Sequence, residues 1–172
     1  MSVLDQIFNK GAFALVRRNH ALEHATLAVL SEKNPRLRMA GYSDPKGFWL
    51  AGEIETEKVE EAVQEALQRM RGGEANLAVH PHCGTNLVTT GFLAGALAWL
   101  GMLNSGRSYR DRAERLPLVI SLVTLGMMVA QPLGPKVQEH VTTSPDMEGM
   151  EIIRIERSKK GDVHLHRVLT RR

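Results

Sequence analysis

Four histidines, a glutamate and the only cysteine of this 172-residue chain fall into two short segments. The first is His20-Ala21-Leu22-Glu23-His24, an H-x-x-E-H pattern. Leu15, Leu22, Ala25, Val29 and Leu30 continue an apolar periodicity around it, which predicts a helix. At about 100° per residue, positions 20, 23 and 24 then share a helical face. Two imidazoles one turn apart can grip a single metal ion, with a carboxylate beside them.

The second segment is Val79-His80-Pro81-His82-Cys83-Gly84-Thr85-Asn86. His80 and His82 point to the same side if the backbone is extended, although Pro81 argues against a regular central strand. Cys83 is a soft ligand suited to zinc, Cu(I) or iron, and Gly84 permits a tight turn. A plainer reading is a turn with exposed histidines and a buried, inert thiol. Together the segments suggest a transition-metal site, most naturally zinc, with His20 and His24 as ligands and His80 or Cys83 completing the set.

The elements that must position these groups are readable in outline. Residues 3–31 suggest one helix, open to a break near Gly11 and ended by Asn34-Pro35, whose start suits either a membrane surface or the core. Residues 37–54 read as a β-hairpin turning at Asp44-Pro45-Lys46-Gly47. Thr56 starts a second helix with a buried stripe of Val59, Ala62, Val63, Ala66, Leu67 and Met70, stopped by Gly72-Gly73. Leu77 to Val79 reads as a short strand. Residues 138–149 read as a loop, and 150–157 with 163–170 as a closing hairpin that joins the same sheet. His164 and His166 share one face of its last strand and are expected at the surface. The expected fold class is α+β: a small sheet with an N-terminal helix and one packing helix, plus an inserted transmembrane helical hairpin. The segments are then 1–86, 87–135 for the hairpin, and 136–172.

The hairpin rests on two uncharged runs, Leu87–Leu103 and Leu116–Pro135. Their lengths lie at the short end and the middle of the membrane-spanning range. Gly91 and Gly95 have the four-residue spacing that lets helices pack closely in lipid. Trp99 suits an interface. Pro117 suits a helix start and Pro132 to Pro135 an end. The arginine-bearing loop at 104–115 leaves orientation ambiguous under the positive-inside rule; a cytoplasm-facing soluble part is the expectation. The N-terminus lacks the features of a signal peptide. A net charge of +3 comes with no aromatic–basic interleaving and no nucleic-acid motif. A single cysteine rules out an internal disulfide. Membrane lipid and a protein partner complex are the expected partners, and nucleic acid is not.

The pair HALEHAT and HPHCGTN, joined by a strand-rich segment and a helix, resembles an uncharacterised bacterial family of small, membrane-attached proteins, known mainly from cyanobacteria and Chloroflexota. The resemblance covers about residues 15–103 and implies no particular activity. More narrowly, His20, Glu23 and His24 resemble the inverzincin peptidase signature, in which both histidines bind zinc and the glutamate is general base. Those peptidases add a downstream glutamate ligand; Glu60, Glu61, Glu65 and Glu74 are available, and no spacing selects one. Three readings therefore stand: a metal site with a non-enzymatic binding or assembly role, a membrane-attached zinc hydrolase with Glu23 as base, and a metal-free hydrogen-bonded core using Arg17, Arg18, Asn19, Thr85 and Asn86.

Overall fold

A computed structural model describes residues 11–106, 108–160 and 163–172. The chain forms two compact units. The first comprises the chain up to His80 together with Glu139–Arg172; the second is Pro81–Gln138.

In the first unit, α1 (Gly11–Lys33) leads to strands β1 (Met39–Asp44) and β2 (Gly47–Gly52), helix α2 (Thr56–Arg71) and a 3₁₀ turn (Ala75–Ala78). Strands β3 (Glu151–Lys160) and β4 (Val163–Arg171) close the unit. The sheet order is β1-β2-β4-β3, with every neighbouring pair antiparallel. The closing hairpin thus joins the first one through β4, and the α+β expectation holds.

Local chemistry explains the elements. Asn34 stops α1: its carbonyl accepts the Leu37 N–H at 3.0 Å, and its side chain accepts the Arg36 N–H at 3.3 Å. Asp44 Oδ1 accepts the Lys46 N–H at 2.7 Å inside the tight turn. Gly47 follows at φ +141°, where a Cβ would come 2.0 Å from the Val168 carbonyl oxygen. Only glycine allows β2 and β4 to approach so closely there.

The α2 stripe lies buried as the periodicity predicts. It packs with Leu22, Ala25, Val29 and Leu30 of α1 over Phe48, Leu50 and Val168 of the sheet. Two expectations need correction. Residues 75–78 form a 3₁₀ turn where a strand was expected through Leu77; the span after Gly73 closes on itself through Leu77 N–H to Glu74 O rather than reaching a sheet edge. His166 is fully buried, not at the surface. It pairs in register with Leu50 and so shares the core face with Phe48 and Val168.

The second unit holds α3 (Gly84–Met102), the short α4 (Tyr109–Glu114) and α5 (Leu116–Val137). Both long helices are long and apolar enough to cross a membrane. Only 6% and 11% of their apolar windows are buried within the structure. Leu87, Val88, Phe92, Ile120 and Met128 are all exposed.

The helices meet through glycines other than the expected pair. The buried residues of α5 are Gly126, Ala130 and Gly134, four apart. A Cβ at Gly126 would stand 2.7 Å from Leu97 Cδ1, and one at Gly134 would stand 2.5 Å from Asn86 Oδ1. A Cβ at Gly91 or Gly95 would meet nothing within 4 Å among the described residues beyond its own helix. The spacing that packs the hairpin is therefore small-xxx-small on α5, against Leu93, Leu97 and Asn86 of α3.

Pro132 and Pro135 lie inside α5 rather than ending it. Gln138, at its end, donates from Nε2 to Asn86 Oδ1 at 2.6 Å, which ties the last turn to α3. A π turn (Gln138–Thr142) follows where an irregular loop was expected. Within the 104–115 loop, α4 begins at a capping box formed by Ser108 and Asp111. That S-x-x-D pattern was a legible helix start.

Candidate functional site

Helix α1 carries the first cluster in the first unit. His24 is almost wholly buried and His20 half-buried. Their rings stand 4.3 Å apart, centroid to centroid, inclined at 61°. The Nδ1 of His24 lies 2.8 Å from the Ala78 carbonyl oxygen. The Nδ1 of His20 lies 3.0 Å from the Thr142 carbonyl oxygen. A carbonyl oxygen only accepts, so in both rings Nδ1 is the donor and carries the proton. In its neutral form such a ring carries its lone pair at Nε2. A backbone carbonyl on the distal nitrogen is the arrangement that orients histidine ligands at metal sites.

Ring nitrogens of the two histidines lie within 4.8 Å of each other. Two nitrogens on one tetrahedral zinc stand about 3.4 Å apart, which follows from bonds of about 2.0–2.1 Å. His80, the last residue of the first unit, adds a third imidazole 5.5 Å from the His24 ring. The first unit therefore gathers His20, His24 and His80 from segments more than fifty residues apart, a donor set that suits zinc, copper, iron or nickel.

His82 and Cys83 belong to the second unit. His82 is exposed, and Cys83 caps α3 by accepting the Thr85 N–H on Sγ at 3.4 Å. Two residues, Pro81 and His82, separate Cys83 from His80.

Glu23 is buried against β1. The Ser43 hydroxyl donates to its Oε2 at 2.5 Å. Gly41, two residues earlier on the same strand, leaves space for the carboxylate: a Cβ there would fall 2.1 Å from Oε1. Sequence reasoning found Glu23 but missed Gly41 and Ser43, whose small size in M-A-G-Y-S is the only signal.

The downstream carboxylates have other partners. Glu65 pairs with Lys33, and Glu74 with Arg69, which also holds Glu32. Glu60 and Glu61 are exposed on α2. Of the residues proposed for a hydrogen-bonded core, Arg17, Arg18 and Asn19 are indeed buried and bonded. Arg18 pairs with Asp146 at 2.5 Å. Asn19 donates to the Asp44 carbonyl at 2.8 Å and accepts from Thr170 Oγ1 at 2.7 Å. These contacts reach the sheet and the 140–146 segment; Asn86 bonds within the hairpin instead.

A cavity of about 530 Å³ lies between the 3₁₀ turn and residues 139–145, lined by Asn76, Ala78, His140, Thr143 and Pro145 among others. It separates the two backbone segments whose carbonyls orient His24 and His20.

The arrangement defines an α+β protein with a histidine cluster on its first helix and an apolar helical hairpin inserted in sequence before its last two strands. The chain belongs to the family described as domain of unknown function DUF6391, whose model matches residues 15–155. It is 35% identical over 142 residues to an uncharacterized protein of the cyanobacterium Picosynechococcus sp.. That match covers 75% of this chain and 66% of the relative, so it spans slightly less than two thirds of the relative's length. No solved structure matches.

Proposed function

We propose that this is a small integral membrane protein, anchored by α3 and α5, which holds one transition metal, zinc by preference, in a binding or assembly role. The observation that supports the metal reading is the pair of Nδ1–carbonyl hydrogen bonds, which leave Nε2 as the ligating nitrogen of each neutral ring. His20 and His24 supply two ligands. His80, in the same unit, supplies a third. Three imidazoles favour zinc over magnesium or calcium. Bound metal would add a fixed positive charge that draws in and orients an anionic or carbonyl group.

Membrane attachment is supported by the exposed apolar faces of two adjacent helices and the small-residue seam between them. An alkaline carbonate wash leaves such a protein in the membrane fraction; release into the supernatant would refute the anchor. Purification without chelator should yield about one metal per chain by elemental analysis, and His20→Ala or His24→Ala should each lose it. Wild-type protein that neither carries metal nor takes up zinc on titration would refute the site. The hydrolytic alternative needs Glu23 to act as base on a metal-bound water, and Glu23→Gln tests it directly.

A further inference from the structure

Beyond the ligands, the α1 face that carries His20 is clamped by one stretch of chain. Arg17 lies one turn before His20, on the same side of the helix. Its guanidinium donates to the His140 carbonyl at 3.1 Å and the Thr143 carbonyl at 2.8 Å. Its own carbonyl accepts the Ser144 N–H at 3.0 Å. Between those anchor points sits Thr142, whose carbonyl holds His20 Nδ1. His140 and Thr142 lie in the π turn that follows the helix, a feature often found at functional sites.

We propose that Arg17 is a positioning residue for the metal site: by pinning residues 140–144 it aims the Thr142 carbonyl at His20 and so fixes the tautomer that presents Nε2. The proposal rests on the metal reading for its purpose but not for its test. His24 serves as the internal control, since its Nδ1 is held by Ala78 on a different segment.

Lysine at position 17 has one compact ammonium and cannot fork to two carbonyls as arginine does. Methionine keeps the buried stem and removes the donors. The experiment uses the full chain in detergent, prepared metal-free and labelled with ¹⁵N-histidine. In wild type, two-bond ¹⁵N–¹H spectra should show both His20 and His24 protonated at Nδ1. In Arg17→Met, His20 should move toward the Nε2–H form while His24 stays unchanged. Zinc affinity should fall about 10- to 100-fold, the range for loss of an outer partner of a ligand. Arg17→Lys should lie between the two. If Arg17→Met does not fold, Ser144→Pro carries the test, because it removes the N–H held by the Arg17 carbonyl and should move His20 in the same direction.

An unchanged His20 tautomer in a folded variant would overturn the proposal. So would equal shifts in His20 and His24, which would mark a general loosening. Wild type that binds no zinc would defeat the metal reading alone; the His20 tautomer would still decide the role of Arg17.

Discussion

Gly41→Ala puts the packing around Glu23 to a quantitative test. The added Cβ would fall 2.1 Å from Glu23 Oε1, 2.5 Å from Cδ and 2.8 Å from Cγ. No real contact is that short, so the Glu23 side chain must move. Glu23 is only 4% exposed, so moving it does not simply return it to water. The displacement breaks the Ser43 hydrogen bond to a carboxylate, and a hydrogen bond to a charged group contributes about 1.5–3 kcal/mol. Crowding adds about 1 kcal/mol or more. Against this, replacing glycine within a strand recovers about 0.5–1 kcal/mol of backbone entropy. The expected net loss is about 2–3 kcal/mol, which for a domain of this size lowers Tm by roughly 8–12 °C. Thermal unfolding followed by circular dichroism at neutral pH measures it. Combining Gly41→Ala with Glu23→Ala should cost less than the sum of the single changes, because the second removes what the first collides with. A Gly41→Ala protein within about 0.5 kcal/mol of wild type, the ordinary range for a harmless surface change, would show that Glu23 is not packed under β1 as described.

Other outcomes follow from the same structure. Gly126→Val drives a branched side chain into Leu97 and the Leu93 backbone, so hairpin stability in detergent should drop by about 1–3 kcal/mol, whereas Gly91→Ala should be neutral or stabilising. Burial, and then the nearby Arg157 and His164, push the His166 pKa below its ordinary 6.5, against the pull of the Ile54 carbonyl and Glu57. Among the described residues its ring nitrogens have no hydrogen-bond partner of normal geometry. As pH falls below 6.5 the unfolded chain takes up the proton first, so this contribution to stability is lost on acidification and fully present above that value. Tm should decline below pH 6.5 in wild type and decline less in His166→Phe; equal declines would assign the effect elsewhere. Glu23→Gln should lower stability while leaving zinc stoichiometry intact if Glu23 is a supporting group. Loss of a measurable hydrolysis with structure and metal preserved would instead make it the base.

The sequence by itself determined several of the elements whose signal is local. The period of Val59, Ala62, Val63, Ala66, Leu67 and Met70 specified α2, and its boundaries followed from Thr56 and the Gly72-Gly73 stop. The turn chemistry of Asp44-Pro45-Lys46-Gly47 specified the first hairpin, and freedom from charge specified two apolar helices. The same local spacing singled out His20, Glu23 and His24. Tertiary structure decided what depends on contacts distant in the chain. His164 and His166 alternate alike with their neighbours, yet His166 is buried because β4 lies between β2 and β3, which puts it beside Leu50. Gly91 and Gly95 have the spacing of a packing motif, but Gly126, Ala130 and Gly134 form the seam because α5 turns that face to α3. The proton positions on His20 and His24 depend on carbonyls of Thr142 and Ala78, 122 and 54 residues away. A backbone carbonyl is the same group at every residue, so sequence carries no mark of the one that faces a histidine; only the path of the chain selects it.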